Sequence, residues 1–309
     1  MAKQKPSKPR ASAAPSETAR RLRIIALNLL IAGVLIGGAA FGISRLRRYA
    51  DSTLARPVTT PVIVLKGRPG WMSETHAQQI ALAVKPQTVT SALDQQLLEK
   101  IANQLAANPW VKQVKRVRRA YGQSAGDTIE IECDFRTPMA LVATRDQYIL
   151  VDNEGVRLPA AFPNTQPPRM MFAADGAVNI RLIEGVSALP PAKDGLKWTG
   201  DDLKAGLDMV KFLYGRPMAE EIHAVNVTNF RGRKSSHEAQ LVLVTKYQTE
   251  IRWGEPLFVA FAAELSKEEK LERLARVRDQ YGRIDAGRPW IDIRMDKITY
   301  PAEPPATPG

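Results

Sequence analysis

Residues 129–135, Ile-Glu-Ile-Glu-Cys-Asp-Phe, alternate apolar and acidic side chains without a break. Ile129, Ile131, Cys133 and Phe135 fall on one face of an extended chain, and Glu130, Glu132 and Asp134 on the other. That period of two predicts a half-buried strand. Just upstream, Val111, Val114 and Val117 recur every third residue in the basic stretch 110–119. This spacing fits neither regular period, and β-branching favours a strand. Before it, Leu93, Leu97, Ile101 and Leu105 make a helical stripe over 91–107, which Pro109 stops. A shorter helical pattern opens at Ser73, carries Ile80, Ala81 and Val84, and ends before Pro86. Residues 57–65 (PVTTPVIVL) read as another strand. The unit is therefore strand, helix, helix, strand, strand.

Downstream, 139–144 and 147–151 predict a strand pair, followed by the turn Asp152-Asn153-Glu154-Gly155. A Pro-rich crossing (Pro159, Pro163, Pro167, Pro168) leads to Thr199 and Asp202, which resemble a capping box with Asp in place of Glu. Leu203, Leu207, Val210 and Tyr214 predict a helix closed by Gly215 and Pro217. Strands follow at 223–229, 239–245 and 249–253. Ser266 and Glu269 form an S-x-x-E capping box that opens a helix through Tyr281. Residues 290–300 (WIDIRMDKITY) alternate again and predict a terminal strand at a sheet edge, where unpaired N–H and C=O groups receive a partner strand.

Upstream of all this, residues 24–43 (IIALNLLIAGVLIGGAAFGI) contain no charge. Twenty helical residues span about 30 Å, the thickness of a bilayer's hydrocarbon core. Arg45, Arg47 and Arg48 follow the run, which is also too long for the apolar region of a cleaved signal peptide, so an uncleaved anchor is expected. Basic residues within reach of the membrane are nearly balanced on its two sides. The whole leader tips the balance toward an inside N-terminus and an outside C-terminal body. Gly33 with Gly37, and Gly38 with Gly42, have the G-x-x-x-G spacing that lets membrane helices pack closely.

The 309 residues carry a net charge of +12 from 44 Lys+Arg against 32 Asp+Glu. Half of that excess lies in residues 1–23, where Lys3, Lys5, Lys8, Arg10, Arg20, Arg21 and Arg23 face Glu17 alone. The remaining body is only modestly basic, unlike a dedicated nucleic-acid binder. Lys112, Lys115, Arg116, Arg118 and Arg119 form one dense basic segment, read as a solvated strand. A single cysteine, Cys133, excludes an intrachain disulfide, and three histidines leave little for a metal site. No P-loop, G-x-S-x-G, H-E-x-x-H or dinucleotide-binding glycine pattern occurs. Ser235-Ser236-His237-Glu238 holds nucleophile and base types, but adjacent residues in a Gly/Lys/Ser turn seldom form a positioned site. No catalytic residue, cofactor or metal is expected.

Several stretches, in order, resemble the FtsQ/DivIB family of bacterial cell-division proteins. They are Asn108-Pro109-Trp110-Val111-Lys112-Gln113-Val114, Ile129-Glu130-Ile131 through Arg136-Thr137-Pro138-Met139-Ala140, and Leu150-Val151-Asp152-Asn153-Glu154-Gly155. Lys270-Leu271-Glu272-Arg273-Leu274 and Ile291-Asp292-Ile293-Arg294 complete the set. The match runs from about residue 58 to 298. It departs at Tyr121-Gly122, which opens a longer loop to Asp127, and over 160–199.

The resemblance implies an α+β, single-pass membrane protein. Its parts would be a basic cytoplasmic tail (1–23), a transmembrane helix (24–44), a connector (45–57), a βααββ POTRA domain (58–136), a mixed β domain (137–300) and a Pro-rich tail (301–309). It further implies a non-enzymatic scaffold in septum formation at the bacterial inner membrane, with the C-terminal domain periplasmic. Its partners would be bitopic coiled-coil proteins of the FtsB and FtsL type, with other division proteins reached through the POTRA domain. The expected partner-binding residues are Ile291, Asp292, Ile293, Arg294, Met295, Asp296, Lys297 and Ile298. A POTRA-bearing protein of a secretion or envelope-assembly system is the alternative.

Overall fold

The computed structural model describes residues 17–54, 60–87, 94–121, 125–164, 180–259 and 263–301. They fall into two units, a long N-terminal helix and a folded body beginning at Thr60. The architecture is α+β, with two mixed sheets in the body.

Helix α1 (Glu17–Leu54) has 38 residues. It starts before the apolar run and continues beyond it, so most of the expected connector 45–57 is helical. Residues Ile25–Tyr49 are long and apolar enough to cross a membrane, and none of the apolar window is buried within the chain. Such exposure is unfavourable in water for a helix that is apolar all round and natural in lipid. A methyl group added to Gly33, Gly37, Gly38 or Gly42 would meet nothing of the chain within 4 Å.

The body opens with β1 (Val62–Lys66), α2 (Glu74–Ala83), α3 (Gln95–Ala106), β2 (Val111–Tyr121) and β3 (Ala125–Phe135). Ser73 caps α2, its hydroxyl accepting the His76 N–H at 3.2 Å. The start expected for α3 at 91 lies outside the described residues. The sheet order is β1-β3-β2, with β3 central, parallel to β1 and antiparallel to β2. Ile129, Ile131 and Cys133 are buried against Ile80, Ile101 and Leu105 of the two helices. Register shifts in the β2–β3 ladder account for the three-residue valine spacing in β2, because each bulge delays the alternation by one residue. The loop expected up to Asp127 is shorter than predicted, since β3 already begins at Ala125 and pairs Tyr121 with it.

The second sheet has eight strands in the order β11-β10-β9-β8-β7-β4-β5-β6. They are β4 (Pro138–Ala143), β5 (Gln147–Asp152), β6 (Arg157–Pro163), β7 (Arg181–Glu184), β8 (Ile222–Asn226), β9 (Leu241–Thr245), β10 (Glu250–Gly254) and β11 (Trp290–Asp292). Two of these, β6 and β7, lie in the stretch read from sequence as an irregular Pro-rich crossing. β7 occupies the middle of the sheet, parallel to both β4 and β8. Helices α4 (Asp201–Leu213) and α5 (Lys267–Tyr281) pack on one face, where Leu203, Leu207, Val210, Leu271 and Leu274 meet Val142, Ile183, Leu243 and Ile251. The capping box expected at Thr199 is absent. Gly200 occupies the N-cap of α4, and Asp202 instead accepts the Ser187 N–H and hydroxyl, each at 2.7 Å. The capping box of α5 forms as expected between Ser266 and Glu269.

Candidate partner-binding edge

The chain's last strand is much shorter than the alternation in 290–300 predicts. β11 covers only Trp290–Asp292 and lies parallel to β10, with Ile251 opposite Ile291. The Glu250 N–H reaches Pro289 O at 3.0 Å, and the Ile293 N–H reaches Arg252 O at 3.3 Å. The odd-numbered residues therefore direct their backbone groups inward to β10. Asp292 directs its own outward, where they meet the returning chain. Its N–H donates to Thr299 O at 2.9 Å, and its O accepts the Thr299 N–H at 3.2 Å. The outermost backbone on this side of the sheet is thus residues 298–301, not β11.

Antiparallel pairs alternate between hydrogen-bonded and non-bonded positions. Since Thr299 faces Asp292, the N–H and C=O of Ile298 and Tyr300 point away from β11. Pro301 has no N–H, which ends the donor row there. The side chains of Ile298 and Tyr300 pack against the main core, so the segment is held in place from below. Burial, with Tyr281 nearby, pushes the Tyr300 phenol above its ordinary range.

The reversal that joins the two runs, residues 293–298, is pinned at four points. Arg294 chelates the Asp292 carboxylate, with Nη2 to Oδ2 at 2.8 Å and Nε to Oδ1 at 3.0 Å. Arg294 O accepts the Leu265 N–H at 2.9 Å, and Met295 O accepts the Arg273 guanidinium of α5. Arg294 Nη1 also donates to His237 O at 3.2 Å, tying the 235–238 loop to the reversal. The Asp292 partnership, with Glu264 and Glu255 close by, raises the Arg294 pKa further above its already high value.

Several of the expected contact residues therefore have other duties. Ile291 and Ile293 are fully buried, the backbone of Asp292 is taken up by Thr299 and its carboxylate by Arg294, and Arg294 is bound within the chain. Met295 is 47% exposed, and Asp296 and Lys297 are exposed beside it. Thr299 and Tyr300, which lie beyond the stretch expected from sequence, complete the outer edge. Their signal is present in the sequence, because Ile-Thr-Tyr is a strand-favouring triplet directly after the polar pair Asp296-Lys297.

Beneath the reversal lies a buried polar cluster. Lys270 Nζ bonds Glu264 at 2.7 Å, with both side chains almost wholly buried, and lies 5.4 Å from the centre of the Trp253 ring. Glu264 also accepts the Glu255 N–H at 3.1 Å, and Gln240 donates to both oxygens of Glu255. Burial, then the neighbouring Glu264, raises the Glu255 pKa. These bonds fix Glu255 and Glu264 against α5, and α5 in turn holds the reversal.

The motifs at the centre of the chain converge on a different place, the junction of the two sheets. Asn108 Oδ1 caps the Trp110 N–H at 3.0 Å, and Trp110 packs against the first sheet's core and against the outer face of the second. Arg136 N–H reaches Trp110 O at 2.9 Å, while its guanidinium bonds the buried Asp152 at 2.8 Å. Asp152 also accepts the N–H groups of Glu154 and Val156, each at 2.8 Å, closing the turn at Gly155. Lys112 completes the junction on Glu154 at 2.6 Å. The residues of the Asn-Pro-Trp, Arg-Thr-Pro and Val-Asp-Asn-Glu-Gly stretches thus serve as a structural weld.

Basic strand β2 lies against acidic strand β3, so its charge is largely met within the chain. Arg118 bonds Glu130 at 2.7 Å and Lys115 bonds Asp134 at 2.6 Å. Cys133 is buried, and desolvation aided by Asp134 and Glu132 pushes its thiol pKa up to about 11. Among the described residues no group of three or more His, Cys, Asp or Glu is placed to hold a metal ion. No protein-family model matches the chain, and no curated protein matches it.

Proposed function

We propose that this chain is a non-enzymatic, membrane-anchored scaffold of the bacterial division machinery, of the FtsQ/DivIB kind. In this reading α1 crosses the inner membrane with its N-terminus inside. The first part of the body is a POTRA domain, and the eight-stranded part presents its terminal edge to bitopic coiled-coil partners of the FtsB and FtsL type. The carrying observation is the outward-facing backbone of Ile298 and Tyr300 on a segment that Asp292 holds in extended form.

The physical logic is β-augmentation. Backbone pairing to Ile298 and Tyr300 supplies affinity, and the exposed Met295, Asp296 and Lys297 at the reversal select the partner by shape and charge. Confinement of both partners to one membrane raises their effective concentration, so a short edge suffices. The resemblance of the motif series to the family supports the reading, as does the strand, helix, helix, strand, strand order of the first part of the body.

The test replaces Tyr300 with its α-hydroxy acid, which keeps the ring and puts an ester oxygen in place of the backbone N–H, while the Thr299 carbonyl stays in place as a weaker acceptor for Asp292. Photo-cross-linking from position 297 in living cells then reads partner capture. The expected result is capture of FtsB- or FtsL-type proteins by the parent chain and its marked loss in the ester variant. Equal capture by both, or capture of envelope-assembly proteins instead, overturns the reading.

A further inference from the structure

Away from the terminal edge, the exposed flank of α4 carries cations and aromatic rings in alternation. Lys204, Asp208, Lys211 and Phe212 share one stripe of the helix, at i, i+4, i+7 and i+8. Lys204 Nζ lies 4.5 Å from the centre of the Phe258 ring, in the segment running beside the helix. Arg216 lies 4.5 Å from the Phe212 ring, and Lys267, the first residue of α5, reaches the same ring at 5.8 Å. Phe258 is 49% exposed and Tyr214, which ends the helix, is 56% exposed. These half-open rings offer apolar surface for a partner to cover.

The charges indicate which kind of occupant fits. Asp208 is shared between Lys204 at 2.7 Å and Lys211 at 3.5 Å, and Glu268 lies 3.8 Å from Lys267. These carboxylates interrupt the cations Lys204, Lys211, Arg216 and Lys267, so the flank is a mixed surface of net positive charge rather than a bare cationic patch. A segment with separated carboxylates meets the cations between them, and its apolar side chains cover Phe258, Phe212 and Tyr214. We propose that this flank of α4, with Phe258 and Lys267, is a second docking surface, and that its occupant is an acidic, apolar-bearing segment of a protein partner. It is independent of pairing at residues 298–301.

The experiment uses the full-length chain in lipid nanodiscs and a fluorescent helical peptide of Glu and Leu, read by anisotropy. A Lys/Leu peptide, a Glu/Ser peptide and phosphatidylglycerol vesicles are run alongside. The Glu/Leu peptide alone is expected to bind. Lys211→Glu combined with Arg216→Glu is expected to weaken it about tenfold, as is Phe258→Ser. The neutral pair Lys211→Gln with Arg216→Gln, which adds no repulsion against Asp208, is expected to weaken it about threefold. The Tyr300 ester variant should bind as the parent does, which separates this surface from the edge. Parent-level binding in the charge or Phe258 variants overturns the proposal. Equal binding of the Glu/Ser peptide or of the vesicles overturns it too, in favour of a purely electrostatic patch.

Discussion

Asp292 and Thr299 exchange both of their backbone hydrogen bonds, at 2.9 and 3.2 Å, so the chain's own return forms the outer rim of the eight-stranded sheet. This pairing sorts the amides of the terminal segment into two classes. Hydrogen exchange in the isolated protein should find the amides of Asp292 and Thr299 protected and that of Tyr300 exchanging fast. On addition of a pairing partner the Tyr300 and Ile298 amides should slow as well. Fast exchange at Thr299 in the free protein would remove the rim from this account.

The two basic residues of the reversal should respond very differently to reversal of charge. Arg294 is the mainly buried partner of Asp292, with Glu255 and Glu264 in range, so Arg294→Glu leaves like charges facing one another. A loss of about 2–3 kcal/mol in urea unfolding is expected. Lys297 is exposed, and Lys297→Glu should unfold with an unchanged midpoint while still altering partner choice. Combining the two changes would mix lost stability with lost contact, so only the single Lys297 change tests the surface.

The Cys133 thiol faces the core of the first sheet and has a pKa pushed up to about 11. Only the thiolate reacts readily, so both burial and protonation protect it. Labelling by iodoacetamide at neutral pH should proceed at the rate of unfolding and accelerate in urea with the loss of tryptophan signal. Rapid labelling in native buffer would show that β3 is not packed on α2 and α3 as described.

The legible parts of this fold are those whose local pattern and tertiary environment agree. Residues 129–135 announce β3, and Ser266 with Glu269 announces α5, because alternation and capping are local signals. β7 escapes a reading of the sequence because a central strand between parallel neighbours needs only Arg181-Leu182-Ile183-Glu184, four residues downstream of Pro-rich chain. Parallel pairing over sequence gaps leaves no turn signal to read. The terminal strand is overextended for the opposite reason. Its alternation runs on to Asp296, inside the reversal, and only the change of phase at Lys297-Ile298 marks two runs; the bonds from Leu265, Arg273 and His237 that fix the turn are tertiary and leave no local signal. Asn108, Trp110, Arg136 and Asp152 stand out in sequence as family-like, yet their signal concerns the junction between sheets rather than the edge.

His76 offers a pH-dependent reading of the first part of the body. Its ring meets Trp110 edge-on, with centroids 4.4 Å apart, and Trp71 at 6.3 Å, and burial lowers its pKa. A histidine whose folded pKa lies below its unfolded value binds fewer protons when folded, so acid favours the unfolded chain. Stability from this group is complete above the unfolded value of about 6.5 and declines as pH falls through the lower folded value. Urea midpoints measured from pH 7.5 down to pH 5 should therefore fall in the parent. His76→Phe, which keeps a ring between the two tryptophans, should flatten that part of the profile while carboxylate-linked losses at lower pH persist. Tryptophan fluorescence should follow the same titration in the native state, because protonated imidazole quenches the indoles it touches. If His76→Phe leaves the slope between pH 7.5 and 5 unchanged, the histidine is solvated as an ordinary surface group and the aromatic packing at this corner is wrong.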